Sequence, residues 1–212
     1  VINNESGFAE INVRALCSAG ESSKKNKKGY IGEKGIGFKS IFKVTDTPEI
    51  HSNGFHFVFN RTDPKDLLGY VVPHWHEPDF KVDEQATTLI IPAKPGSTFT
   101  SKTLSDISDT LLLFLGKLRQ LEVTSPGRRD SFKRKDNGAL TTLITAKSGE
   151  KPVRQDYLRK KVDFDVRDIL EPKREGIAST EMVLAFPLSE DGEAAPAPGC
   201  PTYAFLPIRD FG

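Results

Sequence analysis

The glycine-rich stretch of residues 32–40 has the residue types and the spacing to bind a phosphate group. Its glycines lie at positions 32, 35 and 37, and Lys39 and Ser40 follow closely. Glycine has no Cβ, so backbone N–H groups can approach an anion, and a helix that begins here would point its positive end at that anion. The stretch therefore predicts a phosphate site, with a tight turn beneath packed strands as the alternative.

The spacing G-x-x-G-x-G distinguishes this stretch from three other phosphate-binding loops. In a P-loop the lysine directly follows the last glycine, whereas here Phe38 separates Gly37 from Lys39. A dinucleotide-binding fingerprint and a kinase glycine loop both read G-x-G-x-x-G, which is the reverse order. None of these three loops therefore explains the stretch.

The order of the polar segments resembles the ATPase superfamily of DNA gyrase, heat-shock chaperones, histidine kinases and MutL (GHKL). These segments are the opening VINNESGF, the lysine-rich ESSKKNKKGY, the glycine stretch and the later ATTLIIP. The third motif of the superfamily, G-x-x-G-x-G-[FL]-x-S, is matched in full over residues 32–40. The second motif, hydrophobic-x-D-N-G-x-G-M, fits the opening except that Asn3 replaces the aspartate and Glu5 the first glycine. Within the superfamily, the chain is most similar to the sacsin and NO VEIN group of large eukaryotic proteins.

The resemblance implies a site for ATP and Mg²⁺. The motif aspartate accepts a hydrogen bond from the adenine amino group, and Asn3 can do the same through its amide oxygen, unless it simply closes an Asx turn. Lys24 resembles the lid lysine that folds onto phosphate, although it also fits a solvated charge run. Backbone N–H groups of residues 35–38 would bind the phosphates. The residues that the resemblance assigns to the nucleotide are Asn3, Gly7, Lys24, Gly32, Gly35, Ile36, Gly37, Phe38, Ser40 and Thr87.

The resemblance also implies a catalytic pair that this chain does not supply. The first motif of the superfamily, E-x-x-x-N on a helix, provides the glutamate that activates water and the asparagine that holds Mg²⁺. This motif is expected upstream of residue 1. The matching spacing from Glu49 to Asn53 falls in a strand-and-turn region and is interpreted as a coincidence. The abrupt first and last segments predict that the chain is a fragment.

The resemblance implies an ATP-binding module of a large chaperone-like protein. Mg·ATP would order the lysine-rich lid and switch the conformation, with slow ATP hydrolysis if the upstream glutamate is present. One alternative is a catalytically degenerate scaffold for nucleotide binding or for interaction. Another is a β-rich binding domain without nucleotide. The expected partners are ATP and either protein clients or other domains of a longer chain.

The hydrophobic pattern predicts an α/β (α+β) two-layer fold with a mixed, mostly antiparallel sheet covered by helices. The resemblance implies that this fold is of the Bergerat type. A short helix is expected over AEINVRALCSAG, and strands at FHFVF, GYVVP and TTLIIP. Residues 104–121 carry apolar residues three and four apart, which predicts a long amphipathic helix. The resemblance implies that residues 1–125 form the ATP-binding domain and that residues 126–212 form a partial β-rich, transducer-like segment.

The composition limits the classes of protein and of partner. The chain has 212 residues, of which 37% are hydrophobic and 28% charged, as in ordinary globular domains. Its net charge of +1 gives no electrostatic argument for nucleic acid. The basic cluster at residues 128–135 is interpreted as a solvated turn. No apolar run approaches the roughly 20 residues of a membrane helix, so no membrane partner is expected.

The cysteines and histidines give weaker indications. Cys17 and Cys200 lie far apart in sequence and are interpreted as reduced thiols of an intracellular protein, cytoplasmic or nuclear. His74 and His76 could share one side of a strand and bind a metal ion, but the sequence shows no third ligand. Surface histidines are therefore the simpler interpretation.

Overall fold

The computed structural model describes residues 1–18, 38–62, 65, 68–96, 104, 107–167 and 178–196, and the backbone of residues 202–204 and 206–208. The chain forms two compact units, Val1–Thr103 and Leu104–Gly212. Each unit contains its own five-stranded sheet.

The sheet of the first unit is antiparallel. Its strands are β1 (Ile2–Asn3), β2 (Glu49–Ser52), β3 (Phe55–Val58), β4 (His74–Trp75) and β5 (Thr87–Ile90), in the order β1-β5-β2-β3-β4. Asn53 and Gly54 join β2 to β3 with φ values of 49° and 77°, the conformation that a two-residue hairpin turn requires. The described strands confirm the antiparallel sheet predicted between residues 49 and 92, and they contain none of the parallel pairing that a mixed sheet needs.

Two short helices precede the β2–β3 hairpin in the sequence. α1 (Glu10–Cys17) confirms the predicted short helix. Asn12 Oδ1 accepts a hydrogen bond from Ala9 N at 2.8 Å, which satisfies a donor just before the first turn. The apolar stretch after the glycines, where a helix was also expected, forms a 3-10 helix (Phe38–Lys43).

The core of the first unit is largely aromatic. Phe42, Ile50, Phe57 and Phe59 are buried, and the rings of Phe42 and Phe57 lie 6.0 and 5.8 Å from that of Phe59. Both pairs meet edge to face, the arrangement that the ring quadrupoles favour. Side chains of α1 and of the 3-10 helix also pack against this cluster: Val13, Leu16, Phe38 and Ile41. One helical layer therefore covers one face of the sheet.

The prediction of a strand at GYVVP is wrong. Residues 68–71 form a turn, in which Val71 N and Val72 N both donate to Leu68 O at 2.8 Å. These N–H groups are satisfied within the turn and are not available to a strand ladder. Two valines in sequence favour a strand only where a neighbouring strand packs against them.

The second unit is rich in antiparallel strands, as predicted for the later part of the chain. Its main sheet has the order β10-β9-β8-β7-β6, and two further strands pair with each other. The main strands are β6 (Gln120–Ser125), β7 (Arg128–Asn137), β8 (Leu140–Ala146), β9 (Val153–Asp165) and β10 (Ser179–Pro187). The additional pair is β11 (Thr202–Ala204) and β12 (Leu206–Ile208). Among the described residues, no helix has the length and apolar character needed to span a membrane.

The division between the units comes earlier than the sequence suggested. The predicted boundary at residues 125 and 126 falls in the turn between β6 and β7, which pair along their length. The compact units instead divide between Thr103 and Leu104. The helical segment before β6 contributes Leu112 and Leu113 to the core of the second unit, so it folds with that sheet.

The long helix predicted over residues 104–121 is also wrong. In the described part of that range, α2 covers Leu111–Phe114, and β6 begins at Gln120. Leu121 and Val123 are partly buried and alternate with exposed residues in β6. The apolar residues of the short helix and those of the following strand together fall three and four positions apart. The sequence pattern alone cannot distinguish this arrangement from one long helix.

Arg134, which the sequence placed in a solvated basic turn, is only 4% exposed and lies in β7. Its Nη1 donates to Leu112 O and, at 2.9 Å, to Leu115 O, and its Nη2 lies 3.2 Å from Asp136 Oδ2. The last carbonyls of a helix have no partner within the helix. Arg134 therefore satisfies the carbonyls at the end of α2, and the interpretation of this cluster as a solvated turn is corrected.

Asp130, on the same strand, is a buried carboxylate in a hydrogen-bonded position. Arg128 Nε donates to Asp130 Oδ2 at 2.7 Å, and Ser148 N donates to Oδ1 at 3.2 Å. These bonds, with the Arg128 side chain contributing most, hold the pKa of Asp130 below its ordinary value, although burial opposes them. Hydrogen bonds to the charged form of a carboxyl favour that form.

We expect the second unit to lose stability in acid through Asp130. Its folded-state pKa lies below the unfolded value of about 4. The ionised form therefore stabilises the fold above that pH, and this contribution disappears as the pH falls through the folded value. Asp130→Asn should melt at a lower temperature at neutral pH and lose less on acidification than the unaltered chain, measured by circular dichroism. Asp191→Asn, at an exposed position, is the control. Equal acid sensitivity of the unaltered chain and both variants would contradict the stabilising role of Asp130.

Candidate functional site

Three neighbouring strands place Asn3, Thr87 and Ser52 side by side. In the register of the sheet, Asn3 of β1 is opposite Thr87 of β5, and Thr87 is opposite Ser52 of β2. Directly opposed residues lie on the same face of a sheet. Leu89 and Ile50, two residues further along β5 and β2, share this face and contribute to the core beneath the helices. The polar row Asn3–Thr87–Ser52 therefore faces the helical layer.

Hydroxyl groups hold the opening segment onto this row. Ser52 Oγ lies 2.5 Å from Thr87 Oγ1 and accepts a hydrogen bond from Phe8 N at 2.9 Å. Asn53 Nδ2 donates to Phe8 O, also at 2.9 Å. Thr87 and Ser52 are almost completely buried, so their hydroxyls position the strand ends and the opening segment. Sequence reasoning missed Ser52 and Asn53, for which the turn signal SNG was the available indication.

Asn3 makes the Asx turn that the sequence left open. Its Oδ1 accepts a hydrogen bond from Glu5 N at 3.2 Å. An amide oxygen has two lone pairs, so this contact leaves capacity for one further donor. The side chain of Asn3 is half-buried, and Glu5, which replaces the glycine of the motif, is exposed. The turn and a role in binding a base are therefore compatible at Asn3.

Gly7 occupies a position that a side chain would disturb. Its φ of +79° lies in the left-handed region, and a Cβ built here would come within 2.7 Å of Asn53 Cβ. The opening segment thus passes directly over the β2–β3 turn. Only glycine combines this backbone conformation with so close an approach.

The structure gives partial information about the glycine motif. Lys24, Gly32, Gly35, Ile36 and Gly37 lie outside the described residues. Phe38 and Ser40 lie in the 3-10 helix that follows, where Ser40 is exposed and the Phe38 ring packs 5.5 Å from that of Phe59. Phe8, at the end of the opening segment, packs against the same core cluster. The opening segment and the end of the glycine motif therefore flank one hydrophobic cluster.

Lys39 has a role that the sequence did not predict. Its Nζ donates to Leu16 O and to Tyr70 O, both at 2.5 Å, and lies 5.1 to 5.9 Å from four aromatic ring centroids. An ammonium group over ring faces is attracted by their quadrupoles. Burial lowers the pKa of Lys39, and the Coulombic attraction of the ionised form of Cys17 opposes this shift. Lys39 thus links the end of α1, the 3-10 helix and the turn at residue 70.

The other residues that could carry chemistry are cysteines, histidines, and the pair Glu49 and Asn53. Cys17 is a free thiol, and burial raises its pKa, while Cys200 lies outside the described residues. Glu49 and Asn53 fall in β2 and the following turn, as expected for a coincidental spacing. In the part of the chain that the structure describes, no group of three or more His, Cys, Asp or Glu side chains is arranged to hold a metal ion. This also applies to the surroundings of His74 and His76.

Comparison with known proteins gives two matches. Residues 1–91 match the family described as "Sacsin domain". The chain is 32% identical over 247 aligned positions to "Protein NO VEIN" of Arabidopsis thaliana, an alignment that covers 100% of this chain. The chain spans 8% of the length of that relative. No solved structure is significantly similar to the chain. Both matches support a similarity to the sacsin and NO VEIN group, and they indicate a domain of a large protein.

Proposed function

From this similarity to the sacsin and NO VEIN group, we propose that the chain is an ATP-binding module of the GHKL superfamily, within a large, intracellular, chaperone-like protein. Mg·ATP binds between the polar row and the glycine motif and orders the lysine-rich segment that contains Lys24. This ordering switches the conformation of neighbouring domains or clients. Hydrolysis is slow and depends on a glutamate supplied outside this chain.

The observation that carries the proposal is the pairing of Asn3 with Thr87. These residues come from the two motifs that the superfamily uses at the adenine, and 84 positions of sequence separate them. They lie directly opposite each other on the helix-covered face of the sheet. In this arrangement Asn3 Oδ1 accepts a hydrogen bond from the adenine amino group, while the buried Thr87 hydroxyl keeps the strand ends in place.

A second candidate function is a scaffold that has lost catalysis. Its support is the opening segment, where Glu5 replaces a glycine of the motif and Asn3 Oδ1 is already engaged by Glu5 N at 3.2 Å. An uncharged amide is also a weaker acceptor than a carboxylate. In this alternative the fold serves interaction with other domains, and bound nucleotide, if any, is not hydrolysed.

Calorimetric titration of Mg·ATP into the chain tests the proposal. We expect saturable binding at one site, and loss of that binding in Gly37→Val, because a branched side chain blocks the approach of backbone N–H groups to the phosphates. Gly96→Val is the control for a valine placed in a loop away from the motif: a Cβ at Gly96 meets no atom within 4 Å, although its φ of +75° strains any side chain, so the stability of this variant is measured as well. Circular dichroism checks that each variant is folded.

The possible results separate the two functions. Binding by the unaltered chain and by Gly96→Val, but not by Gly37→Val, supports the ATP module. Equal binding by all three proteins overturns the assignment of phosphate to the glycine motif. Absence of binding in a well-folded sample favours the scaffold.

A further inference from the structure

The face of the first sheet opposite the polar row carries a chain of three ionisable side chains. Alternate residues of a strand face opposite sides, so Glu49 and His51 of β2 face away from the helices. His51 Nε2 lies 2.5 Å from Glu49 Oε1, and His51 Nδ1 lies 3.0 Å from Nδ1 of His56 on β3. We call Glu49, His51 and His56 the histidine relay.

The hydrogen bonds of the relay fix the position of each proton. An ionised carboxylate only accepts hydrogen bonds, so a neutral His51 carries its proton on Nε2 and donates it to Glu49. Nδ1 of His51 is then an acceptor, and His56 must donate to it from its own Nδ1. A neutral imidazole has one N–H, so Nε2 of His56 is left as an unprotonated acceptor.

The two histidines lie in different surroundings. His51 is fully buried, with the Phe80 ring edge-on at 5.4 Å, whereas His56 is half-buried beside Trp75. His56 lines a surface cleft of about 470 Å³. The other described residues that line this cleft are Ser52, Asn53, Gly54, Val82, Glu84 and Gln85. Such a volume lies in the range of small-molecule sites, about 300–1,000 Å³.

Two further titratable groups face the relay. His76 Nε2 lies 3.6 Å from Oε2 of Glu49, the carboxylate oxygen that His51 does not contact. Glu84 lines the same cleft as His56. Both Glu49 and Glu84 favour positive charge nearby, so an additional proton on the relay is compensated by neighbouring carboxylates.

We propose that His56 is the proton-accepting group of a second binding site in this cleft, for a small ligand with a weakly acidic hydroxyl group. The ligand O–H bond breaks, and its proton binds Nε2 of His56. The proton on Nδ1 of His56 passes to Nδ1 of His51. His56 thus remains neutral, and the positive charge resides on buried His51 beside Glu49. His51 and Glu49 act as positioning residues that fix the tautomer of His56.

Nitrogen NMR of the imidazole rings of the unaltered chain tests the relay directly. At neutral pH we expect His56 to be protonated on Nδ1 and His51 on Nε2. A neutral His56 that carries its proton on Nε2, or a neutral His51 that carries its proton on Nδ1, overturns the proposal.

Two variants separate the relay from simple packing. Glu49→Gln keeps the size and an acceptor oxygen but adds an amide donor, so His51 is no longer restricted to the Nε2 tautomer and the Nδ1 tautomer of His56 should lose its dominance. His51→Phe keeps a ring against Phe80 and should abolish the fixed tautomer of His56. Ile11→Phe, at an exposed position of α1, is the control and should change neither result. A tautomer of His56 that is identical in all three variants contradicts the relay.

4-Nitrophenol, whose ionisation is visible by absorbance, probes the cleft itself. We expect the phenolate fraction at neutral pH to rise when the unaltered chain is added, with simultaneous protonation of His51, and we expect this rise to be lost in His51→Phe. An equal rise in both proteins, or none in either, would sink the proposed site. This measurement does not involve ATP, so it stands independently of the proposed nucleotide function.

Discussion

Replacing Arg134 with methionine should lower the free energy of unfolding of the second unit by about 3 kcal/mol. The guanidinium is the donor for Leu112 O and Leu115 O and the neighbour of Asp136, and its side chain is almost inaccessible. Methionine retains an apolar stem of similar length but leaves the two carbonyls at the end of α2 without partners. A buried polar group without a partner costs about 1–3 kcal/mol.

Arg129→Met is the matched control, because Arg129 lies on the same strand but its side chain is 70% exposed in an ion pair with Glu122. An exposed pair contributes about 0–1 kcal/mol. Denaturant unfolding, with hydrogen exchange of β7 and β8 amides as the local probe, measures both effects. Arg134→Lys, which keeps the charge without the planar fork, should lie between them. Equal losses for Arg134→Met and Arg129→Met would show that the contacts with α2 contribute nothing.

Replacing Gly7 with alanine should destabilise the first unit by about 3 kcal/mol, through two causes that can be measured separately. The φ of +79° is unfavourable for any side chain, and the new Cβ would lie 2.7 Å from Asn53 Cβ. Unfolding is followed through Trp75, the single tryptophan of the chain, which lies in the first unit.

Gly54→Ala isolates the first cause, since Gly54 has nearly the same φ, +77°, but no atom within 4 Å of the built Cβ. We expect it to cost about 1 kcal/mol. Adding Asn53→Gly to Gly7→Ala removes the colliding Cβ and should recover part of the loss, although the bond from Asn53 Nδ2 to Phe8 O is removed as well. A Gly7→Ala variant no less stable than Gly54→Ala would refute the close approach.

Elements with a strong local signal were predicted from the sequence. α1 has apolar residues at helical spacing, and the predicted strands FHFVF and TTLIIP correspond to β3 and β5, whose β-branched and aromatic residues favour strands. The long helix predicted over residues 104–121 does not form, because only a short connection separates α2 from β6 and the apolar residues of both elements fall by coincidence three and four apart. Which face of a sheet a given side chain occupies depends on the pairing register of its strand, and tertiary packing sets that register.

The candidate site was predictable only in part, for a related reason. The resemblance identified Asn3 and Thr87, and the register of β1 and β5 brings them together. Ser52, Arg134 and the histidine relay were missed, because their partners are set by strand pairing or by long-range contacts. Arg134 contacts carbonyls 19 and 22 positions away. Residue type alone indicated an exposed cation at that position, since arginine is rarely buried unless it is paired.

The contact between Lys39 Nζ and Leu16 O brings together, at 2.5 Å, two residues that are 23 positions apart in sequence. The entropy lost on closing a loop grows slowly with its length, by about 0.6 kcal/mol for each doubling. Lengthening or shortening the lysine-rich stretch between residues 18 and 38 should therefore change the stability of the first unit little. Variants of this chain with added or removed lysines in this stretch should therefore keep the contact between Lys39 and the end of α1.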